Sequence, residues 1–73
     1  MKKLKIGIAG LSRGRGFVSV FSSHPDVTIS AICDIDQKKL AEVGDVFALP
    51  DHARYTNFDD FVNGDMDIVM IAT

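Results

Sequence analysis

The sequence has little cysteine and proline and no tryptophan. Cys33 is its single cysteine, which excludes an internal disulfide framework and a cysteine-rich zinc site. Because Cys33 lies within an apolar run, we interpret it as a small core side chain and not as a reactive thiol. No repeat, low-complexity tract or linker occurs. The 73 residues are therefore expected to form at most one small globular domain.

A large excess of one charge and a long hydrophobic run are also absent. The net charge of −2 gives no electrostatic footprint for nucleic acid. No apolar run approaches the ~20 residues of a membrane span. The apolar segment from Ile6 to Leu11 is too short for a secretory signal, and no small-residue cleavage site follows it. We expect a cytoplasmic protein without membrane or nucleic-acid partners.

Metal ligands are not grouped in the sequence. His24 and His52 have no partner at metal-ligand spacing. The acidic residues near the end of the chain lack the alternating ligands and closing glutamate of a calcium loop, and a helix start and a turn explain them: Asp59, Asp60, Asp65 and Asp67. No metal site is predicted.

The hydrophobic period changes several times along the chain. Alternating or continuous apolar runs predict strands at residues 3–9, 27–33, 53–55 and 67–73. Helical spacing predicts three intervening helices, whose apolar stripes are Phe17, Val20 and Phe21, then Leu40, Val43 and Phe47, then Phe58, Phe61 and Val62. Pro25 and Pro50 are expected to stop the first two helices, and Asp36 and Thr56 to cap the second and third.

The predicted order of elements is β-α-β-α-β-α-β. Strands that alternate with single helices indicate a right-handed, doubly wound parallel sheet, here with strand order 3-2-1-4. Because the fourth strand would lie at an open edge, we expect the later strands of this α/β fold to lie outside these residues.

The connection after the first strand, "GLSRGRG", is rich in glycine and arginine. Gly10 and Gly14 permit a tight turn and a close ligand approach. The following helix N-terminus, with Arg13 and Arg15, favours an anion, and a diphosphate is the predicted occupant. The run fits G-x-G-x-x-G imperfectly, because Ser12 replaces the second glycine and Arg15 the third. If the loop is one residue shorter, Gly14 takes the role of the third glycine instead. The alternative to a ligand site is a tight turn between strand and helix that binds no ligand.

Asp34 follows the second strand, where a dinucleotide-binding fold places an acid that hydrogen-bonds the ribose hydroxyls of NAD. Its carboxylate would repel the 2′-phosphate of NADP. Lys38 and Lys39 lie close enough in sequence to accept that phosphate, so NADP stays open beside NAD. The alternative is that Asp34 only ends the strand or shares helix capping with Asp36.

Several segments together resemble one family over essentially the whole chain. These are "KIGIAGLSRGRG", "HPDVTISAICDID", "LAEVGDVFALP" followed by "YTNFDDFV", and "DMDIVMIAT". They are similar to the N-terminal part of the Gfo/Idh/MocA oxidoreductases, named for glucose–fructose oxidoreductase, inositol dehydrogenase and a rhizopine-catabolism protein. The resemblance implies that residues 1–73 are an incomplete N-terminal dinucleotide-binding domain, a partial Rossmann fold, with no substrate domain in this chain.

The resemblance also implies the site and the partners. Residues implied to bind NAD or NADP are Gly10, Leu11, Ser12, Arg13, Gly14 and Arg15 near the pyrophosphate, Asp34 at the adenosine ribose, and Ala72 and Thr73 near the nicotinamide ribose. Family substrates are sugars, polyols and related hydroxy compounds. The implied partners are the dinucleotide, the remainder of the enzyme or its substrate domain, and further copies in a homo-oligomer of the full-length enzyme.

No catalytic residue is predicted in this chain. The family's catalytic lysine, in a Glu-Lys-Pro motif, and its substrate-domain Asp/His pair match nothing here, so the fragment is not expected to be active alone. Gly10-Leu-Ser-Arg-Gly14 matches the hydrolase motif G-x-S-x-G, which also needs an Asp and a His on later strands. A methyltransferase is disfavoured because the first strand has no acid before the glycines. A non-catalytic dinucleotide-sensing or scaffold domain remains the alternative to an oxidoreductase.

Overall fold

The computed structural model describes residues 3–72, which form four parallel strands and three α-helices. In chain order the elements are β1 (Leu4–Ala9), α1 (Leu11–Ser22), β2 (Val27–Cys33), α2 (Gln37–Val46), a 3-10 turn (Asp51–Ala53), β3 (Arg54–Tyr55), α3 (Phe58–Val62) and β4 (Ile68–Ile71). The sheet order is β3-β2-β1-β4, which confirms the predicted topology. None of the helices within residues 3–72 has the length and apolar character needed to cross a bilayer.

Helices cover both faces of the sheet. On one face α1 and α2 bury a core cluster with the strands, made of Ile6, Ile8, Leu11, Val18, Ile32, Leu40 and Val43. On the other face Phe61 of α3 packs with three small strand residues: Ala9, Ala31 and Cys33. Because neighbouring strand residues point to opposite faces, Ile8 and Ala9 belong to different clusters. Full burial of each large apolar side chain contributes about 1.5–3 kcal/mol.

Strand β2 contains one extra residue opposite β1. Ile6 pairs with Ile29, whereas the next residue, Gly7, pairs with Ala31, so Ser30 has no counterpart on β1. This is the pattern of a β-bulge. The Ser30 hydroxyl donates to the Asp65 carbonyl at 3.4 Å.

Helix α1 begins earlier than its glycines suggest and turns a different face inward. Its buried residues are Leu11, Gly14 and Val18. Phe17 and Val20, which were predicted to face the core, are 43% and 64% exposed. Phe21, the third residue of the predicted stripe, does pack against the core. The prediction was wrong for Phe17 and Val20 because the stripe was counted from the end of the glycine run, whereas the helix begins at Leu11 and the spacing i, i+3, i+7 from there sets the buried face.

The caps of the other helices are close to those predicted. Asp36 caps α2 through its carboxylate, which accepts from the backbone N–H groups of Lys38 and Lys39. At α3 the cap is Asn57 and not Thr56, since Asn57 Oδ1 accepts from the Asp60 N–H at 3.1 Å. The amide provides the same acceptor chemistry as the predicted hydroxyl, one residue later.

Strand β4 lies at the open edge that the strand order predicts. Within residues 3–72, no strand pairs with its outer side, and Ile68, Val69 and Ile71 are 45%, 39% and 59% exposed. Two hydrogen bonds between Lys5 and Asp67 join its entry to β1: the Lys5 N–H donates to the Asp67 side chain at Oδ2, and the Asp67 N–H donates to the Lys5 carbonyl, both at 2.8 Å. The Lys5 ammonium also pairs with the Asp65 carboxylate, and this hydrogen bond raises the pKa of Lys5.

Gly44, in the middle of α2, lies under the guanidinium of Arg54. Arg54 donates from Nε and Nη2 to the Leu49 carbonyl, at 3.1 and 2.5 Å, and from Nη1 to Asp45 Oδ1 at 3.0 Å. A Cβ added at Gly44 would stand 2.5 Å from Arg54 Cζ. The glycine that weakens α2 locally therefore makes room for a side chain from β3.

Gly44→Ala is accordingly expected to destabilise the chain. Overpacking costs about 1–3 kcal/mol, and the better helix propensity of alanine returns about 1 kcal/mol, so we expect a net loss of about 1 kcal/mol in the free energy of unfolding. Urea unfolding measures it. In an Arg54→Ala background, which removes the Cδ, Nε and Cζ atoms that the new Cβ would meet, the same substitution should be neutral or stabilising, and an equal loss in both backgrounds would contradict the steric explanation.

Candidate functional site

The carboxyl ends of the strands meet at one edge of the sheet. Hydrogen bonds continue past the strand ends and hold the connecting residues in place: Gly10 N–H to the Cys33 carbonyl at 2.9 Å, Asp34 N–H to the Tyr55 carbonyl at 3.1 Å, and Ala72 N–H to the Ala9 carbonyl at 2.9 Å. In open α/β sheets this edge is where ligands bind, at the point where the strand order reverses. Here the chain moves from β1 to β2 and β3 in one direction and then places β4 on the other side of β1, so that point lies between β1 and β4.

A single residue connects β1 to α1. Gly10 has φ 87° and ψ 87°, a left-handed conformation that is strained for other residues. Its carbonyl accepts the Gly14 N–H at 2.8 Å, so the helix begins at once. The structure thus has the shorter form of the loop, in which Gly14 lies within α1.

Gly14 lets α1 pack closely against the sheet. A Cβ at this position would stand 2.8 Å from Ile8 Cγ2 and 3.6 Å from Ala72 Cβ. Close packing of helix on strand is the role of the third glycine in a dinucleotide-binding turn. Gly14 therefore has the position of that glycine, although the spacing from Gly10 is shorter than in G-x-G-x-x-G.

The carboxylate of Asp34 is bound to the glycine turn. Its Oδ2 accepts from the Leu11 N–H and its Oδ1 from the Asp36 N–H, both at 2.8 Å. Since Gly10 has no side chain to cap α1, Asp34 supplies the cap from the neighbouring strand. Asp34 thus shares capping with Asp36, which was the alternative to ribose binding. The two functions are compatible, because an ionised carboxylate has about four lone-pair sites and these bonds use two.

The other residues of the turn differ in exposure. Leu11 is 2% exposed, so only its backbone faces the site, whereas Ser12, Arg13 and Arg15 are exposed. The Ser12 hydroxyl accepts a hydrogen bond from Lys39 Nζ. Within the described residues this serine therefore bonds to a lysine and not to a histidine, which does not favour the hydrolase alternative.

The last two predicted site residues lie at the end of β4. Ala72 is half-buried beside Gly14, at the same edge as Gly10. Thr73 lies outside the described residues. The structure thus brings together Gly10, Leu11, Gly14, Asp34 and Ala72.

A cavity of about 300 Å³ opens beside Asp34 at this edge. It is lined by Ala9, Gly10, Cys33, Asp34, Ile35, Thr56, Phe58 and Ile71. Most of the lining is apolar, and its volume is at the lower end of small-molecule sites. Sequence reasoning predicted Gly10 and Asp34 as site residues and missed the other six: Ala9, Cys33, Ile35, Thr56, Phe58 and Ile71. The sequence offered one signal, the apolar residue Ile35 directly after Asp34. In the structure the Ile35 side chain is 90% exposed.

Cys33 is buried at the base of this cavity. Burial, and secondarily the charge of Asp34, raise the pKa of the Cys33 thiol, so the thiol is protonated at neutral pH. This agrees with its interpretation as a core side chain. Over residues 3–72, no three His, Cys, Asp or Glu side chains are grouped to hold a metal ion.

Comparison with known proteins gives two kinds of relative. No protein-family model matches the chain. Two curated proteins, each named glycosyl hydrolase family 109 protein 2, from Shewanella sp. strains ANA-3 and MR-4, are 37% identical over 86 aligned positions that cover all of this chain. The chain spans 18% of the length of these relatives.

A solved structure shares the fold. It is an oxidoreductase from Agrobacterium radiobacter in complex with NAD⁺, L-tartaric acid and magnesium. The TM-score is 0.80 at 32% identity, over 99% of this chain and 21% of that one. The likeness, together with the strand order, confirms the predicted α/β Rossmann-type fold.

Proposed function

We propose that this chain is an N-terminal dinucleotide-binding domain of the Gfo/Idh/MocA type and that it binds NAD. The observation that carries the proposal is the bond between the Asp34 carboxylate and the Leu11 N–H, directly beside the left-handed Gly10. This bond fixes an acid from β2 at the N-terminus of the helix that follows β1. That is the arrangement a dinucleotide needs if one protein site is to hold its ribose and its pyrophosphate together.

The residues present fit the pyrophosphate. The first N–H groups of a helix have no intrahelical acceptor, and in α1 those of Ser12 and Arg13 are in this position. Gly10 contributes no side chain to obstruct the approach. The positive end of the α1 dipole and the charge of Arg13 attract the phosphates, and Arg15 adds a second charge in the same helix.

The Asp34 carboxylate and the cavity beside it suit the adenosine half of NAD. Asp34 would accept the ribose hydroxyls with the lone pairs that its backbone bonds leave free. The cavity beside it would take the adenine, with Ile35, Phe58 and Ile71 as apolar contacts. Ala72 and Thr73 would lie near the nicotinamide ribose. Bound NAD supplies a nicotinamide that accepts a hydride, and the residues of this chain hold and orient the coenzyme.

The substrate class of the whole protein is part of the same proposal. The curated relatives are named as glycosyl hydrolases, and the solved oxidoreductase carries L-tartaric acid, a hydroxy acid. The name of the curated relatives supports a sugar as substrate, and the solved structure supports an oxidoreductase that acts on a hydroxy compound. We propose that the whole protein is an oxidoreductase that acts on a sugar, a polyol or a related hydroxy compound. We propose that a substrate domain is the partner of this domain, and we assign coenzyme binding, and no catalytic step, to residues 1–73.

Titration of the isotope-labelled chain with NAD tests the proposal. We expect saturable shifts of the amide signals of Leu11 to Gly14 and of Asp34. ADP should compete, because under this proposal the described residues would hold the adenosine diphosphate half, and nicotinamide mononucleotide should compete much more weakly. Shifts that do not saturate, or that lie away from this edge of the sheet, would contradict the proposal.

A further inference from the structure

A second cavity lies on the α3 side of the sheet, apart from the coenzyme edge. Its volume of about 350 Å³ is within the range of small-molecule sites. It is bounded by residues 30–31 of β2, by Tyr55 of β3 and by residues 64–66 in the loop before β4. Its described lining shares no residue with that of the cavity beside Asp34. We call it the bulge cavity, because the extra residue of β2, Ser30, lies in its wall.

An ammonium and a carboxylate line the bulge cavity as an ion pair. The Lys5 ammonium donates to the Asp65 carboxylate, and both residues belong to the lining. Since each charge already has its counter-ion, this pair favours neither an anionic nor a cationic ligand. The pair uses one of the three ammonium donors of Lys5, so two can donate to a neutral ligand.

The Tyr55 hydroxyl is fixed in position and has no hydrogen-bond partner among residues 3–72. Its half-buried ring packs edge-on against Phe61, with centroids 6.0 Å apart and an interplanar angle of 68°. A Cβ at Gly64 would stand 3.5 Å from the Tyr55 hydroxyl oxygen, so the glycine leaves this oxygen uncovered on that side. Because a phenol hydroxyl both donates and accepts, it suits a ligand that offers either kind of group.

The β-bulge adds a second hydroxyl to the same cavity. Ser30 has no counterpart on β1, and its hydroxyl donates to the Asp65 carbonyl at 3.4 Å, which is long for such a bond. β-Bulges are frequent next to functional sites, because the extra residue redirects a side chain. The Ser30 oxygen retains its lone pairs as acceptors. The bulge cavity thus combines donors and acceptors that a neutral polar ligand can use.

We infer that the bulge cavity binds a small neutral polyhydroxy compound, of the size of a monosaccharide or a sugar alcohol. Each hydroxyl of such a ligand donates and accepts, which matches the ammonium of Lys5 and the hydroxyls of Ser30 and Tyr55. An apolar ligand would bury these groups without partners, which is unfavourable. A carboxylate or phosphate would place a second anion beside Asp65. The inference goes beyond the proposed function and does not depend on it.

Amide-shift titration of the isotope-labelled chain with D-glucose and with D-sorbitol tests the inference. We expect saturable shifts at Ser30, Tyr55 and residues 64–66, with Kd values on the order of 1–10 mM. Tyr55→Phe keeps the ring and removes the hydroxyl, so it should weaken binding by about two- to tenfold. The matched control is Thr28→Val, which removes a hydroxyl from the same sheet outside the bulge cavity and should leave Kd unchanged.

Three results would overturn the inference. They are shifts that do not saturate or that lie at the coenzyme edge, an equal Kd for the wild-type chain and Tyr55→Phe, and an equal loss in Thr28→Val. Titrations with n-propanol and with sodium acetate identify the ligand class, because saturable binding of either at the same amides would replace the polyhydroxy ligand by an apolar or an anionic one. NAD binding is measured separately at the coenzyme edge, so the proposed function and this inference can fail independently.

Discussion

Replacing Asp34 with alanine is expected to reduce NAD affinity and chain stability together. Loss of the ribose hydrogen bonds should weaken NAD binding by about 1–3 kcal/mol. The same substitution leaves the Leu11 N–H without the acceptor that now caps α1, which should cost about 1 kcal/mol of unfolding free energy. Calorimetric or amide-shift titration with NAD measures the first effect, and urea unfolding measures the second.

Two further variants separate these effects. Asp36→Ala removes the cap of α2 but no proposed ligand contact, so it should lower stability by about 1 kcal/mol and leave NAD affinity unchanged. Asp34→Asn keeps an acceptor for Leu11 but loses the charge, so stability should largely return. If Asp34→Ala lowered stability and left NAD affinity at the wild-type value, Asp34 would be only a capping residue.

Gly14→Ala is expected to displace α1 from the sheet. The new Cβ would stand 2.8 Å from Ile8 Cγ2, and Ile8 is a fully buried core residue. We expect a loss of about 1–3 kcal/mol in the free energy of unfolding. Because a small domain has only about 5–15 kcal/mol in total, this is a large fraction of its stability. Thermal unfolding followed by circular dichroism measures the loss.

Gly16, two residues later in the same helix, provides the matched control. A Cβ at Gly16 would have nothing within 4 Å. Gly16→Ala should therefore gain up to about 1 kcal/mol from helix propensity alone. If alanine lowers the free energy of unfolding at Gly14 and raises it at Gly16, the glycine at position 14 is required for the packing of α1 on the sheet. A gain at both would show that α1 can shift without cost.

The strand order could be predicted because it depends on local patterns. The apolar run at Val27–Cys33 and the alternation at Leu4–Ala9 are features of short segments, and the rule for right-handed crossovers converts their order into a sheet. The acid at the end of β2 was found in the same way. The start of α1 was predicted less well, because glycine disfavours a helix locally while the contact of Gly14 with Ile8 favours it.

Other parts of the site depend on contacts between distant segments. The cavity joins Ile35 of the connection between β2 and α2, Phe58 of α3 and Ile71 of β4. The hydrogen bond of Lys39 joins α2 to α1, and Arg54 covers Gly44 from β3. Such pairs have no signature in a single sequence, because neither residue is unusual until the fold brings the two together.

The extra residue in β2 determines the direction in which Asp34 points. Val27 and Ile29 pack on the side of α1 and α2, and so does Ile32, three positions after Ile29 and not two. The extra residue Ser30 thus shifts the alternation of side chains along β2 by one position. Asp34 lies two positions after Ile32, so its carboxylate points to the same side as Ile32, toward α1. A β2 shorter by this one residue would carry the same acid at its end but direct it to the α3 side, so the single insertion determines on which face of the sheet the Asp34 carboxylate lies.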